Sequence, residues 1–398
     1  MSEKKQTVLM VHNYYQIPGG EDTVVANEKK MLEEHGHKVI LYTRNNTELK
    51  TMNLFQKLLL PFTTIFNVKT YREIKKIIKR EKIDIVHVHN TLNLISPSVY
   101  YAAKSMNAPV VQTIHNFRML CPSATFYREG HICEECVLKG LKCAIQYRCY
   151  RQSRIQTLVC VINTKIHRMT GIYGEINYIC LTEFNKKKLL EIKQIKKEKI
   201  FIKPNFSIDN VNILKNSLRK NQIIYLGRIE EIKGIKLLLE TWKIYENQLP
   251  VLKVYGNGPL KEWCEDYIKY YSIKKVILNG FIKHENAIEE ISKSIALILP
   301  TQVYEGFPMT IVEAFSCSTP VVCSDIGNAG ALIETGVTGY KFDSNPYSLY
   351  KAVLNTIQDK NLNILCRNKY QNEYSEAKNY KQLINIYTMI IGENKNEN

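Results

Sequence analysis

From Thr7 onward the chain alternates between short apolar runs and longer stretches in which apolar residues recur every three or four positions. VLMVHNYY (8–15), VILYT (39–43), IVHVHN (85–90), VVQTIHN (110–116) and YICL (178–181) read as strands, being short runs rich in β-branched and aromatic residues. Residues 20–35 carry helical spacing and stop at Gly36, and 69–81 and 95–105 carry it again. A Lys-rich helix is expected after 181. Strands this uniformly apolar, separated by helices, predict a parallel sheet covered on both faces.

IFIKPNFSIDN (200–210) breaks the series, because Pro204 interrupts regular structure and polar residues follow it. It reads as a crossing between two halves, joined near 203–220. A second series then runs through IIYLGRI (223–229), LKVYGNG (252–258), VILNGF (276–281), IALILPT (295–301) and PVVCSD (320–325). The predicted architecture is α/β, with two doubly wound parallel-sheet domains: an N-terminal one over 1–203 and a C-terminal one over 204–376. The closing segment, 377–398, is helical over about 377–393 and is expected to pack back on the first domain. In open sheets of this kind ligands sit beyond the carboxyl ends of the strands, so the informative residues are those directly after each strand.

Charge narrows the partners. Lys and Arg number 55 against 38 Asp and Glu, a formal balance of +17, which favours nucleotide phosphates, acidic lipid headgroups or nucleic acid. The N-terminus, MSEKKQTVLMV, is too short in apolar residues for a signal-peptide core, and no stretch approaches the roughly 20 apolar residues that span a bilayer. The expected location is cytoplasmic, peripheral on the inner face of the cell membrane. Eleven Cys, an odd number, argue against a disulfide framework there.

Three strand-end loops carry chemistry. EGFPMTIVE (305–313) follows a strand and reads as opening a helix, with Gly306 letting the backbone approach a ligand and Glu313 two helical turns below Glu305. Carboxylates there suit the hydroxyls of a sugar and a ribose, and equally suit the helix dipole. GRIEEIKG (227–234) places Arg228 and Lys233 on one loop, fit for a diphosphate or simply solvated. PGGE (18–21) and GNGP (256–259) are ordinary turn sequences in themselves; their positions at strand ends make them candidates for a phosphate or sugar.

The combination of GRIEEIKG, GNGP, the E-x7-E of EGFPMTIVE and the later DIGNAGALIETGVTGYKF resembles family 4 of the retaining glycosyltransferases, over nearly the whole chain and most specifically over 223–342. The resemblance implies the GT-B fold, two Rossmann-like domains facing a central cleft. It implies a hexosyltransferase that uses a nucleotide-diphosphate sugar donor, retains configuration and requires no metal for catalysis. It assigns Arg228 and Lys233 to the donor diphosphate, Glu305 to the transferred sugar, Glu313 to the ribose, and His115 to a strand end near the donor sugar. Gly19 and Gly20 match the family's glycine loop. Gly227, Gly256, Gly306, Phe307 and Pro308 complete the donor-binding set, Gly306 and Phe307 through backbone N–H groups. Retaining transfer by front-face attack lets the donor phosphate take the acceptor proton, so His115 need not be a general base. One departure stands out: Ala331 occupies the place where the family often has Glu, and Glu334 follows three residues later.

Cys121, Cys133, Cys136, Cys143 and Cys149 fall in one insertion, 121–149, of a kind found in a subset of the family. Cys133-x-x-Cys136 has zinc-knuckle spacing, so a structural Zn²⁺ held by Cys121, Cys133, Cys136 and Cys149 is one reading, with His131 a further ligand; buried reduced thiols without metal are the other. LFQKLLLPFTTIF (54–66) and NKKKLLEIKQIKKEKIFIK (185–203) suit docking on an anionic membrane surface, which would go with a lipid-linked saccharide acceptor and cell-surface polysaccharide assembly. Other readings share parts of this pattern: a different GT-B enzyme such as a sugar-nucleotide epimerase, phosphorylase or hydrolase, and a zinc-containing nucleic-acid binder. The last lacks any recognisable nucleic-acid module, so nucleic acid is not expected as a partner.

Overall fold

The computed structural model describes residues 4–17, 19–210 and 218–396. Pro18 of the PGGE loop and 211–217 of the crossing segment lie outside the described residues. The chain divides into two compact units: Met1–Phe126, Cys133–Pro204 and Tyr380–Asn398 form the first, and Tyr127–Ile132 with Asn205–Asn379 form the second.

In the first unit β1 (Thr7–Tyr14), β2 (Lys38–Asn45), β3 (Ile85–Asn90) and β4 (Val110–Ile114) are joined by β7 (Asn177–Cys180) and β8 (Ile200–Ile202); the intervening hairpin of β5 (Tyr127–Arg128) and β6 (His131–Ile132) belongs to the second unit. The six-stranded sheet runs β2-β1-β3-β4-β7-β8, with every pair parallel. Every residue of β3 is buried, whereas the edge strand β2 has none fully buried, as its place at the rim dictates. The segment expected to cross after 200 thus begins as an edge strand. Three helices of this unit matter below: α1 (Gly20–Glu34), α2 (Leu54–Ile65) and α3 (Arg154–Met169). The Lys-rich stretch is not one helix; it is helical over Glu183–Leu189 and turns through Lys197–Lys199 into β8.

The second unit holds β9 (Gln222–Leu226), β10 (Val251–Tyr255), β11 (Val276–Gly280), β12 (Ala296–Leu299), β13 (Val321–Ser324) and β14 (Gly339–Phe342) in the order β11-β10-β9-β12-β13-β14, again all parallel. The strand at 339–342 was not anticipated; GYKF is short, glycine-led and half polar because it sits at the sheet edge. Along β9, Ile223 and Tyr225 belong to one buried cluster and Ile224 to the opposite one. Both faces of the sheet are therefore covered, and the period-two alternation of a strand disappears from its hydropathy. Here α4 (His284–Ser292) and α5 (Met309–Ser316) carry site residues.

The last helix, α6 (Glu376–Asn396), returns to the first unit from Tyr380 onward. Tyr387 is fully buried and its hydroxyl meets His87 Nδ1 at 2.6 Å, while the Tyr380 hydroxyl meets His37 Nε2 at 2.9 Å. Among the described residues no helix is long and apolar enough to cross a membrane.

Candidate active site

At the carboxyl edge of the second sheet, loops from three strands are bonded to one another. Lys233, in the turn after β9, places Nζ 2.7 Å from Glu305 Oε1, and Thr301, directly after β12, donates its hydroxyl to the same oxygen at 2.8 Å. Asn328, after β13 and fully buried, donates its amide to the carbonyls of Glu305 and Gly306 at 2.7 and 2.6 Å. Glu305 is thereby held at both its carboxylate and its backbone. Arg228 projects from the same loop as Lys233 with 62% of its side chain exposed; its backbone carbonyl accepts from the Tyr225 hydroxyl at 2.8 Å, and its nearest acid is Glu230 at 3.5 Å. The arrangement offers one largely exposed guanidinium, loosely paired with Glu230, and one ammonium balanced by the carboxylate beside it.

The glycines of these loops have a steric explanation that their turn sequences do not supply. Gly256 has φ +146°, and a Cβ there would lie 1.8 Å from the Gly227 carbonyl oxygen; one at Gly258 would lie 2.3 Å from the Ile229 carbonyl oxygen. The GNGP and GRIEEIKG loops interlock backbone to backbone, with Gly227 N–H donating to Tyr255 and Ile229 N–H to Asn257.

Residues 305–308 are loop, not helix: α5 starts at Met309 with Pro308 ahead of it, so Glu313 sits about one turn inside the helix. Its side chain is largely buried and accepts from His284 Nε2 at 2.8 Å; that bond raises the imidazole's pKa above its usual value. Phe307 is half-buried, packed against the cluster beneath α5. Ala331 is exposed, and Glu334 pairs with Lys369 at 2.5 Å, so neither substitutes in the Glu305 network.

In the first unit, His115 follows β4, and its Nε2 lies 2.9 Å from His89 Nδ1, the rings stacked at 5.2 Å. Burial drives both imidazoles well below their ordinary pKa, His89 helped by His87 and His115, so both are neutral at pH 7. Behind them Glu28 of α1 meets Lys203 at 2.6 Å, both side chains almost wholly buried, with Glu28 Oε2 3.5 Å from His89 Nε2. Glu28, His87 and His89 are, among the described residues, the one trio of His, Cys, Asp or Glu whose ligand atoms all lie within 4.8 Å of one another. The Lys203 ammonium already supplies the cation there.

Gly20 is the first residue of α1, and Gly19 ahead of it donates its N–H to Asp22 at 3.0 Å. A Cβ on Gly19 would meet nothing within 4 Å, so packing does not demand glycine there. Glu21, the last residue of PGGE and the second of α1, is a further candidate. It accepts from the Tyr15 hydroxyl at 2.8 Å, and burial pushes its carboxyl up to about 8, a proton donor at neutral pH. Its position directly after a glycine pair at the end of β1 is the signal that points to it.

The five thiols of the Cys insertion lie near one another without closing on a common point. Burial, then the neighbouring Cys121, Cys149, Cys143 and Cys133, push the Cys136 thiol up to about 12, so the thiols do gather around it. No three of them come within 4.8 Å, and Cys136 and Cys149 pack with Leu141, Ala144 and Val161 as small hydrophobes.

Two α/β units, each built on a six-stranded parallel sheet, have the GT-B fold shared with solved glycosyltransferases. Residues 208–392 match the family described as Glycosyl transferases group 1, and residues 18–131 match Glycosyltransferase Family 4. The chain belongs to the family 4 glycosyltransferases and is an enzyme of that class. It is 26% identical over 350 residues to an Escherichia coli UDP-Gal:alpha-D-GlcNAc-diphosphoundecaprenol alpha-1,3-galactosyltransferase, covering 82% of this chain and 81% of that one. Solved structures with the same fold include a glycosyltransferase from Rickettsia africae (TM-score 0.70, 18% identity, 97% and 99% covered). Another is Anabaena HepE in complex with UDP-glucose (TM-score 0.63, 14% identity, 96% and 100% covered).

Proposed function

We propose that the chain transfers a hexose from a nucleotide-diphosphate sugar, with retention of configuration, to a saccharide carried on a lipid, at the cytoplasmic face of a membrane in cell-surface polysaccharide assembly. The observation that carries the donor half is the Lys233–Glu305–Thr301–Asn328 network with Arg228 exposed beside it. Bond cleavage in such a donor puts charge on the diphosphate. Arg228 meets that charge with a planar fork of donors and Lys233 with a compact ammonium, and both are in place before reaction. Glu305, anchored at backbone and side chain, presents a fixed acceptor to the sugar hydroxyls, and Glu313 does the same for the ribose. His115, kept neutral by burial, positions substrate and carries no net charge into the reaction. The acceptor half is supported by the E. coli relative, whose name specifies a diphosphoundecaprenol-linked acceptor.

A thermal-shift screen with UDP, GDP, ADP, dTDP and CMP, repeated on Arg228→Ala, tests the donor half. A ligand at 100 times its Kd stabilises by about 2.7 kcal/mol. One nucleoside diphosphate should shift the wild type and shift the variant less; no shift with any of them refutes the donor assignment. NMR of the product's anomeric proton tests retention, and release of free sugar without an acceptor would instead place the chain among hydrolases or epimerases.

A further inference from the structure

The first unit carries an apolar face that its own elements leave uncovered. On α2, a 12-residue helix, Leu54, Phe55, Leu58, Leu59 and Phe62 are exposed, Leu54 by 77%, and Thr64 alone is buried. On α3 the buried and exposed residues form two stripes. Thr157, Cys160, Val161, Thr164 and His167 are inside, while Ile155, Leu158, Ile162, Ile166 and Met169, at three- and four-residue spacing, are exposed. A soluble helix puts its apolar stripe on the core and its polar residues outside; α3 has the outer stripe apolar as well.

Between the two helices runs an apolar groove of about 360 Å³, walled by Leu60, Pro61, Ile155 and Val159 with Lys57 and Arg151. Asn93, Tyr150 and Arg151 are shared with a second cavity of about 190 Å³, which is also lined by Asn90 and Arg118. Asn90 and Arg118 in turn line the polar pocket that holds His89 and His115. An apolar groove therefore leads through two arginines to the strand-end histidine. The surrounding chain is uniformly basic. Residues 49–72 hold four Lys or Arg and 136–174 hold seven, with no Asp or Glu in either stretch.

We propose that this face is a lipid-docking site. The groove takes the hydrocarbon chain of the lipid phosphate that carries the acceptor sugar, Lys57, Arg151 and Arg118 take its phosphate groups, and the sugar extends towards His115. The order of the surface, apolar then cationic then polar, is the order tail, phosphate, sugar. The unbroken run of positive charge complements phosphate on both the bound lipid and the membrane around it. This rests on the glycosyltransferase reading and adds where the acceptor sits.

The test is flotation of the full chain with phosphatidylcholine vesicles containing either phosphatidylglycerol or a polyprenyl phosphate at matched charge. Wild type should bind the polyprenyl phosphate vesicles about tenfold more tightly. The double variant Leu58→Gln/Ile155→Gln should lose about tenfold on both, because exposed apolar area is what it removes. Arg151→Gln should keep phosphatidylglycerol binding and lose the preference for the polyprenyl phosphate. The thermal shift given by the nucleoside diphosphate that stabilises wild type is the folding control. Equal flotation of the double variant and wild type, equal binding to the two anionic lipids, or binding to neither without an added protein would each overturn the proposal. Flotation lost as expected with no nucleotide shift in wild type would leave the docking site standing and remove the transferase reading. An unchanged double variant with the nucleotide shift intact would do the reverse.

Discussion

Replacing Lys203 with methionine removes the ammonium that meets Glu28 at 2.6 Å in a place where the two side chains are 0% and 1% exposed. The carboxylate then stays in the interior, 3.5 Å from His89 and 3.8 Å from His87, two imidazoles that burial keeps neutral. Breaking a buried pair from one side costs about 3–5 kcal/mol, because the remaining charge has lost both water and partner. At roughly 2–4 °C per kcal/mol for a unit of this size, Tm should fall by about 6–20 °C. The double variant Glu28→Gln/Lys203→Met removes both charges and should recover about 2–3 kcal/mol of the summed single losses. Urea unfolding followed by far-UV circular dichroism measures the cycle. Trp242 and Trp263, the chain's two tryptophans, both lie in the second unit, so their fluorescence is a local control. If the two single losses add to within about 0.5 kcal/mol of the double, the pair is not coupled and the reasoning fails.

Glu305→Ala and Lys233→Ala should each abolish transfer, assayed with donor and lipid-linked acceptor, while shifting stability by no more than about 1 kcal/mol, since the pair is partly solvated at 15% and 25% exposure. Full activity in both would remove the site. Gly256→Ala should destabilise by about 1–3 kcal/mol in thermal unfolding, because its Cβ would fall 1.8 Å from a backbone oxygen at a φ of +146°; an unchanged Tm would mean that the loops do not interlock. The bond from Glu313 raises the folded pKa of His284 above its unfolded value, so its stabilising effect is complete below the unfolded pKa of about 6.5 and is lost as pH rises through the raised value. The Tm of wild type minus that of His284→Gln should accordingly be positive at pH 5.5 and shrink as pH rises towards 8.5; a gap that widened with pH would refute the pairing.

The strand and helix alternation was legible because it depends on neighbours a few residues apart. VLMVHNYY, IVHVHN and IIYLGRI needed no tertiary knowledge to read as buried strands. The edge strands Ile200–Ile202 and Gly339–Phe342 were missed because a rim position leaves strands short and relaxes their apolar run. At the site, Arg228, Lys233 and Glu305 were visible as charged residues after strands, but Asn328 was not. An amide in DIGNAGALIE has no chemical signature until the fold carries it to the carbonyls of Glu305 and Gly306. The Cys spacing suggested a metal, yet spacing does not set how closely the thiols approach: Cys136, Cys143 and Cys149 join a small apolar cluster, and no three of the sulfurs lie within 4.8 Å of one another.

By itself, then, the sequence determined the alternating elements, the two-fold repetition of a parallel sheet and the loops in which chemistry could stand. All of these follow from local periodicity and from the rule that ligands gather at carboxyl strand ends. Tertiary structure decided who meets whom: Lys233 and Glu305 across 72 positions, Glu28 and Lys203 across 175, His87 and Tyr387 across 300. It also decided that α2 and α3 leave an apolar face open beside two arginines. These depend on strand order and on where each crossover helix lands, and no short-range pattern encodes either.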